Sequence, residues 1–587
     1  MAPNKSINVN VRPYDEGGAQ PLAKSRWYRL HWPFLLLAAI TLLVLLTNLG
    51  ADYLWADEGD TAVLASNILK FGVPTAWDGV TFTDADQGAR LNNHLVMVCH
   101  PWVQYYLAAG SFALLGQTTF AARLPFALAG WLTIWMVYLL VWQTVRDRRV
   151  AFTAASLLTL SAQFLLYSRQ CRNYAPSMLV ACVLLWSFLR MNSVRSCVAF
   201  AVIAILQFHT NPLAIVIVAA CGCLTLFAPS FLPQRRWCLW ATPAIAIFTI
   251  PWIALARRGY EENADLVHSV GQFFARFLQS LIECASVTPL IGALLLALLA
   301  LFRSRGPRVA RITSNKLTSE ELRLLSVVGL TLLFCVVGTA IAEPSHTIWL
   351  VGVRYTPGVI PLVAIAAVIL LPRGKGIVSW AAMMLLLGCT KVALLAPWLV
   401  GCDNQASLGE NKSIAVHVPQ HVIDSLLNTD EFYLLIDLFR TNTGALGETC
   451  EFLNTYARPA DRVIANADQD PLYFHTRLPQ ALKLLPGYPI YETARRQGLP
   501  NYVFSVDGAR WIVWRYFWDG FDGYRWTDVA KAITDDGGRL TQVATLKETI
   551  WENREDIHFR RFAGNRYLYS GFEDMPPGGI FRVDWDR

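Results

Sequence analysis

The first apolar run of the chain reads WPFLLLAAITLLVLLTNLG over residues 32–50, and ADYLWADEGD follows it at residues 51–60. A helix needs about 20 apolar residues to cross the roughly 30 Å hydrocarbon core of a bilayer, where every backbone polar group must be satisfied within the segment. The run is preceded by the basic residues Lys24, Arg26 and Arg29. Basic residues also precede the apolar core of a signal peptide, so both interpretations must be considered. Because the apolar core is long and lacks a small-x-small cleavage site, we predict an uncleaved membrane anchor.

Similar apolar runs recur along the chain up to residue 400. Of its 587 residues, 54% are hydrophobic and only 16% are charged, which is too apolar for an ordinary soluble enzyme. We therefore predict a polytopic α-helical membrane protein with about eleven transmembrane helices. The predicted spans cover residues 32–50, 121–145, 149–168, 175–190, 196–208, 213–229, 238–256, 286–303, 324–342, 355–371 and 377–400.

Basic residues indicate the orientation of these spans. If the N-terminus is cytoplasmic and the spans alternate, every cytoplasmic loop carries arginine or lysine, as the positive-inside bias requires. This orientation places the segment after Val400 outside the cytoplasm. Topology thus accounts for the net charge of +7, which is no indication of nucleic-acid binding. The loops concerned are 146–149, 190–195, 234–236, 303–316 and 373–375.

Three regions follow from this topology. We predict a cytoplasmic tail at 1–31, a transmembrane domain at 32–400 whose first outer loop is long (51–120), and a soluble extracytoplasmic domain at 401–587. In the last region, helices predicted at 447–457 and 527–533 alternate with strands at 462–465, 511–514, 540–545 and 580–583, which is typical of a small α/β domain.

The cysteines bear on compartment and on metal chemistry. Cys402 and Cys450 are the only two in the last region, and they are either a disulfide formed in an oxidising compartment or two free thiols. The sequence has no Cys-x-x-Cys and no His-Glu-x-x-His, so zinc-finger and zincin chemistry is not supported.

Ionisable residues cluster at the outer ends of the spans, where such residues commonly mark function. Asp57, Glu58 and Asp60 directly follow the first span, although acidic residues also suit the first turn of a helix, and 61–71 looks helical. His100 opens a second cluster with several aromatic residues, for which a simple aromatic belt at headgroup depth is the alternative interpretation.

Arginines on the same face form the other candidates. Arg169, Arg172 and Tyr174 lie at the outer end of the span 149–168, and Arg354 and Tyr355 open the span 355–371. Cations here oppose the topological bias and suit a phosphate, whose oxygens a guanidinium binds bidentately. For Arg169 and Arg172, a salt bridge to the Asp57 loop is the alternative to phosphate binding. Together the clusters suit a lipid carrying a phosphate-linked sugar, because cations stabilise the departing phosphate while a carboxylate deprotonates the acceptor.

An ordered set of motifs resembles a known superfamily. The set resembles the GT-C glycosyltransferases, and within them the bacterial branch related to protein mannosyltransferases and to the aminoarabinose transferase that modifies lipid A. The resemblance covers residues 30–230 clearly and the region of Arg354 more loosely. The motifs are DEGDTA at 57–62, HPWVQYY at 100–106, FAARLP at 120–125 and YSRQCRNY at 167–174.

The resemblance implies a polyprenyl-phosphate sugar donor, an active site on the outer face and inversion by direct displacement. By the acidic motif, Asp57 inherits the role of general base, and Glu58 is the second candidate. We expect the donor phosphate to be bound by His100, Arg169, Arg172, Tyr174, Arg354 and Tyr355.

The chain departs from the aminoarabinose branch at one motif. Members of that branch carry Glu-Lys-Pro where this chain has Cys99-His100-Pro101. The departure removes a metal-ligand carboxylate and a phosphate-binding lysine, so neither a divalent metal nor a lipid A substrate is carried over. His100 can replace the lysine only if it is protonated or acts as a neutral donor. We expect no cofactor.

We therefore expect a membrane glycosyltransferase of the cell envelope, in the bacterial inner membrane, with its active site and C-terminal domain facing the periplasm. It would transfer a hexosyl or pentosyl group to a lipid, polysaccharide or protein acceptor. A transporter or flippase of lipid-linked sugars is the alternative, although the chain shows no duplicated halves. A third interpretation is an assembly protein without catalysis, in which the acidic pair is dispensable.

Overall fold

The fold is given by a computed structural model. It describes residues 24–83, 88–262, 264–286, 317–344, 352–370, 405–407, 413–415, 438–439, 444–516, 519–520, 523, 525–546 and 577–586. The first part is a helical bundle. Its helices are α1 (Lys24–Leu46), α2 (Ala56–Phe71), α3 (Val103–Leu115), α4 (Thr119–Val145), α5 (Arg148–Thr159), α6 (Ala162–Ser168), α7 (Tyr174–Leu189), α8 (Val194–Thr210), α9 (Ile215–Phe227), α10 (Leu232–Glu262), α11 (Val270–Ser286), α12 (Ser319–Ile341) and α13 (Val359–Leu370).

Two short antiparallel strand pairs lie outside the main sheet. β1 (Ala264–Leu266) pairs with β2 (Ala342–Pro344), and β3 (Gln405–Ser407) pairs with β4 (Ser413–Ala415). The described residues of the C-terminal part contain a four-stranded sheet and four α-helices. These elements are α14 (Ala445–Tyr456), β5 (Arg462–Ala465), α15 (Gln469–Thr476), α16 (Tyr491–Arg496), β6 (Ala509–Trp514), α17 (Trp526–Asp535), β7 (Gly538–Leu546) and β8 (Gly578–Trp585).

The strand order of the main sheet is β5-β6-β8-β7, with β5 parallel to β6 and the other two pairs antiparallel. Among the described residues, the predicted strands and helices of this region coincide with β5, β6, β7, β8, α14 and α17. That the region forms a separate extracytoplasmic domain stays a prediction. Helices α15 and α16 were not predicted. Cys402 lies outside the described residues, so its pairing with the buried Cys450 stays a prediction.

Membrane crossing is supported by the length and composition of several helices. Among the described residues, three are long and apolar enough to span a bilayer alone, and α5 and α6 add a fourth if the pair, bent by 69°, counts as one span. Other predicted spans coincide with shorter apolar helices, and those at 286–303 and 377–400 lie largely outside the described residues. The count of about eleven therefore stays a prediction. The three long spans are Thr119–Val145, Pro229–Ala256 and Ser319–Ile341.

The acidic motif forms the first turn of α2. This helix begins at Ala56, earlier than predicted, so Asp57 and Glu58 lie where the helix dipole favours negative charge. The helix ends at Gly72, which adopts the left-handed conformation (φ 77°) and donates its N–H to the carbonyl of Ile68. A helix start thus accounts for part of the acidic composition, while the separate partners of the carboxylates are described below.

The C-terminal part packs directly on the bundle. Tyr473 and Phe474 of α15 belong to the same buried apolar cluster as α2, α3 and α4. The Tyr473 hydroxyl donates to Asp78 Oδ2 at 2.5 Å, and Phe474 stacks on Phe112 with ring centroids 5.8 Å apart. His475 Nε2 accepts the N–H of Leu54 at 3.1 Å. Burial lowers the pKa of His475 to about 3, so its imidazole is the neutral acceptor that this contact requires.

Close contact between α2 and α15 depends on a glycine. A Cβ atom added at Gly59 would lie 2.3 Å from Cδ and 2.4 Å from Cγ of Pro471, nearer than carbon atoms can approach without a shift of one helix. The glycine of the acidic motif therefore permits the C-terminal part to touch the helix that carries Asp57.

We predict that Gly59→Ala lowers the free energy of unfolding by about 1–3 kcal/mol, the range for overpacked sites, despite the better helix propensity of alanine. Gly110→Ala in α3 is the matched control, because the added Cβ meets nothing within 4 Å there. Thermal unfolding of the purified protein in detergent measures both. Equal midpoints for Gly59→Ala and Gly110→Ala would contradict the close packing of α2 on α15.

Candidate active site

A buried ion pair forms the base of the site. Glu58 is fully buried, and its carboxylate accepts from Arg123 Nε at 2.9 Å and from Arg123 Nη2 at 2.6 Å. The backbone N–H of Cys171 donates to Glu58 Oε1 at 2.7 Å. Glu58 thus has both oxygens engaged inside the protein, which holds α2, α4 and the loop 169–173 together.

Arg123 also organises the segment between α1 and α2. Its Nη1 donates to the carbonyls of Leu49 and Asp52 at 3.2 and 3.0 Å, and its Nη2 donates to the carbonyl of Tyr53 at 3.0 Å. With Glu58, these contacts use all three nitrogens of a guanidinium that is 6% exposed. The reversal of the chain after α1 is therefore fixed by one side chain.

Asp57 lies on the accessible side of α2 and pairs with a different arginine. Arg172 Nη2 lies 3.1 Å from Asp57 Oδ2, and Arg172 Nη1 donates to the Asp57 carbonyl at 3.2 Å and to Thr61 Oγ1 at 3.4 Å. The Asp57 side chain is 34% exposed, whereas that of Glu58 is 0% exposed. Of this pair of carboxylates, Asp57 is the one that a bound substrate can reach.

Arg172 retains one donor without an acceptor. Its Nε is buried and has no hydrogen-bond partner among the described residues. Burial acts to lower the pKa of Arg172, but Asp57 and neighbouring groups together outweigh it and raise that pKa, so the guanidinium stays charged. A charged, fixed guanidinium with a spare N–H beside a partly exposed carboxylate is suited to binding an anionic group.

Asp60 is the third acidic residue of the motif and lies beside the C-terminal part. Burial, together with the nearby carboxyl group of Asp470 in α15, holds the pKa of Asp60 well above its usual value. Lys483 Nζ lies 3.7 Å from Asp470 Oδ1 and also contacts the side-chain oxygen of Gln469. Asp470 and Lys483 are 5% and 1% exposed.

His100 borders this cluster as a neutral group. Arg90 Nη1 donates to His100 Nε2 at 2.9 Å, which leaves Nδ1 as the protonated nitrogen. Burial and the charges of Arg90 and Arg172 lower the pKa of His100 well below its usual value. Of the two ways in which His100 could replace a lysine, a neutral donor is consistent with the structure and a cation is not.

Arg169 and Tyr174 lie at the two ends of the loop 169–173. Arg169 Nη1 donates to the carbonyls of Val44 and Leu45 at 2.9 and 2.8 Å, which ties the loop to the end of α1. Tyr174 is buried and packs on Tyr167 with ring centroids 4.6 Å apart. Both residues therefore lie within three positions of Arg172 in the chain and hold the frame around it.

Arg354 and Tyr355 form a unit attached to the end of α8. Arg354 Nη2 donates to the Tyr355 hydroxyl at 2.7 Å, and the guanidinium carbon lies 4.8 Å from the centre of that ring. Asn211 Nδ2 donates to the Tyr355 carbonyl at 3.0 Å. This unit has its own supports and is distinct from the Asp57 and Arg172 pair.

Three residues of the site were not among the candidates taken from the sequence. Arg123 stood in the FAARLP motif without a role, and a cation inside a long apolar helix was a signal that could have assigned one. Asp470 and Lys483 offered no such signal, because they lie in a polar region far along the chain from Asp57.

An apolar cavity of about 400 Å³ lies beside this region. It runs between α3, α8 and α10, starting from the tryptophan two residues after His100. Its lining residues are Trp102, Val103, Tyr106, Leu107, His209 and Trp252.

Metal binding is a separate question. Among the described residues, no group of three or more His, Cys, Asp or Glu side chains is placed to hold an ion. We derive no step through a metal.

The chain is similar to known proteins in sequence and in fold. A sequence model described as dolichyl-phosphate-mannose-protein mannosyltransferase matches residues 99–254, which contain His100, Arg123 and Arg172 but not Asp57. No curated protein sequence matches the chain.

The fold is similar to that of a crystallised protein over almost all of both chains. The crystal structure of ArnT from Cupriavidus metallidurans in the apo state has a TM-score of 0.53 and 17% identity, covering 94% of this chain and 98% of that one. The crystal structure of the same protein bound to undecaprenyl phosphate has a TM-score of 0.53 and 15% identity, covering 95% of this chain and 98% of that one. The sequence model matches residues 99–254 alone, and at 15–17% identity the structural likeness shows a fold like that of ArnT.

We predict that Glu58→Gln lowers the free energy of unfolding by about 3–5 kcal/mol, because it leaves the buried Arg123 cation without its counter-charge. Glu320→Gln is the matched control: Glu320 is 60% exposed and its pair with Arg323, at 3.4 Å, is a surface pair worth at most about 1 kcal/mol. Thermal or denaturant unfolding in detergent distinguishes them. Wild-type stability for Glu58→Gln would contradict the structural role of the buried pair.

Proposed function

We propose that this chain transfers a sugar from a polyprenyl-phosphate donor to an acceptor hydroxyl or amine on the extracytoplasmic face of the membrane, with Asp57 as general base. One observation carries this proposal: a partly exposed Asp57 carboxylate lies 3.1 Å from Arg172, whose Nε has no partner among the described residues. The proposed general base and the cation that would bind the phosphate are thereby adjacent, as a reaction with a phosphate leaving group requires.

The reaction follows from this pairing. The acceptor oxygen or nitrogen attacks the anomeric carbon of the sugar, and the bond from that carbon to the phosphate oxygen breaks with inversion. Asp57 takes the proton of the acceptor, and the electron pair of the broken bond stays on the polyprenyl phosphate. Arg172 stabilises the negative charge that develops there, since a fixed guanidinium costs little reorganisation during the reaction.

The assignment of Asp57 over Glu58 rests on exposure. Glu58 is 0% exposed and shares its oxygens with Arg123 and the Cys171 N–H, so we assign it to holding the site together. Arg169 and Tyr174 support the loop of Arg172 in the same way. We propose His100 as a neutral hydrogen-bond donor near the phosphate, and the Arg354 and Tyr355 unit as a second anion-binding element on the α8 side.

The nature of the donor is supported from two directions. The family description names dolichyl-phosphate-mannose, and a structure with the same fold was determined with undecaprenyl phosphate bound. In this chain, the apolar cavity next to Trp102 offers a surface for an isoprenoid chain within reach of His100. A lipid, a polysaccharide or a protein remains the acceptor class, and we propose no single one.

We predict that Asp57→Asn lowers the rate of sugar transfer at least about 100-fold, the contribution expected of a general base. The purified protein is placed in membranes with a mixed acceptor extract and is offered a panel of undecaprenyl-phosphate sugars. The assay measures the undecaprenyl phosphate that is released. Asp52→Asn, the same change in the same segment outside the Arg172 pair, is the control and should stay within a few-fold of wild type.

Transfer at the wild-type rate by normally expressed Asp57→Asn would remove Asp57 as base. Translocation of the intact lipid-linked sugar without any release of undecaprenyl phosphate, by wild type and variant alike, would favour the flippase alternative.

Sidedness has a separate test. We predict that a reporter active only in the periplasm gives signal when fused after Val400, because the positive-inside count places that residue outside the cytoplasm. A fusion after Arg149, in a predicted cytoplasmic loop, is the control and should be silent. The reverse pattern would invert the proposed orientation and place the site on the cytoplasmic face.

A further inference from the structure

One peptide group just before α2 is held by both parts of the protein. The carbonyl of Tyr53 accepts from Arg123 Nη2 at 3.0 Å, and the N–H of Leu54, in the same peptide group, donates to His475 Nε2 at 3.1 Å. Arg123 belongs to α4 of the bundle, whereas His475 belongs to α15 of the C-terminal part. Because a trans peptide directs its carbonyl and its N–H to opposite sides, the two parts hold this group from opposite sides.

The surroundings leave the Leu54 N–H no substitute for this acceptor. Leu54 is 0% exposed, so water does not reach its N–H, and a buried donor that loses its acceptor is costly. The ring of His475 also lies edge-on to that of Tyr53, with centroids 4.7 Å apart. The backbone before α2 would therefore have to move if His475 lost its acceptor nitrogen.

The held peptide group lies where α2 begins. Trp55 is the N-cap residue of the helix, and Asp57 is its second residue. Pro471, four residues before His475, packs against Gly59. Helix α15 thus contacts the chain on both sides of Asp57, through His475 before it and through Pro471 after it.

Other contacts fix α15 itself on the first outer loop. The Tyr473 hydroxyl donates to Asp78 Oδ2 at 2.5 Å, and Arg477 Nη2 donates to Gln117 Oε1 at 2.7 Å. These two residues flank His475 at positions two before and two after it. The imidazole that meets Leu54 is therefore carried by a helix with its own anchors on the bundle side.

We propose that His475 is a positioning residue for the transfer reaction: by accepting the Leu54 N–H, it holds the first turn of α2 where Asp57 meets Arg172 and the acceptor. This inference rests on the proposed function. It gives the C-terminal part a direct role in the reaction, because the start of α2 is held from both sides only while α15 is docked on it. A role in packing alone would need a side chain of suitable size at position 475, but no acceptor atom.

The test compares two amides at position 475 in the undecaprenyl phosphate release assay, with rates expressed per amount of folded protein from gel filtration. In His475→Gln the side-chain oxygen takes the place of Nε2 and can accept the Leu54 N–H. In His475→Asn the oxygen takes the place of Nδ1 and falls short of that N–H. Both variants lose the ring contact with Tyr53, so a loss of packing affects them alike.

We expect His475→Gln to stay within a few-fold of wild type, and kcat of His475→Asn to fall about 10- to 100-fold, because a displacement of about 1 Å at a reacting group costs up to about 100-fold. The KM for the donor should stay close to that of wild type, since Arg172 and its loop are held by other contacts. His94→Asn, the same change at an exposed histidine of the first outer loop, is the control and should match wild type.

Equal rates for the two amides, whether both are fast or both are slow, would overturn the positioning role. If Asp57→Asn retains transfer, the proposed function fails instead. Hydrogen exchange gives a readout that needs neither activity nor a variant: in the wild-type protein the Leu54 N–H should exchange slowly. Exchange of this N–H as fast as that of an exposed loop amide would contradict the contact with His475.

Discussion

The buried pair of Glu58 and Arg123 is the interaction on which the rest of the site depends. Removing both charges from water costs several kcal/mol, and that cost is offset only when the remaining donors and acceptors are also satisfied. Here they are: the Cys171 N–H fills one carboxylate oxygen, and three carbonyls between α1 and α2 accept the remaining guanidinium protons. One ion pair thereby fixes the relative positions of α1, α2, α4 and the loop 169–173.

The reactive features follow from that frame. Because α2 cannot rotate without exposing Glu58, the neighbouring Asp57 must point away from the pair, towards Arg172 and the accessible side. Adjacent acidic residues thus have different tasks, one holding the protein together and the other facing the substrate. The glycine that follows lets α15 approach, which places Pro471 against the same helix start.

Much of this organisation could be predicted from the sequence, and the remainder depends on contacts that sequence does not encode locally. Hydropathy located α4, α10 and α12, and a strand-like run after a turn located β5 at its observed bounds. Helix α15 was missed because it is short, contains Pro471 and lies between Asp468 and Arg477, both at positive φ. The acidic motif drew attention to Asp57 and Glu58, but only the position of Arg123 on the facing helix separates their roles. Asp470 could not be found, since no local pattern links it to Asp60.

The most direct measurement of the central claim is an experimental structure of the full chain with undecaprenyl phosphate bound. The account predicts that the phosphate lies against the guanidinium of Arg172, takes a hydrogen bond from its Nε, and is adjacent to Asp57, while Glu58 remains on Arg123. A phosphate bound elsewhere, with the Arg172 and Asp57 pair unchanged and its Nε still without an acceptor, would contradict the account.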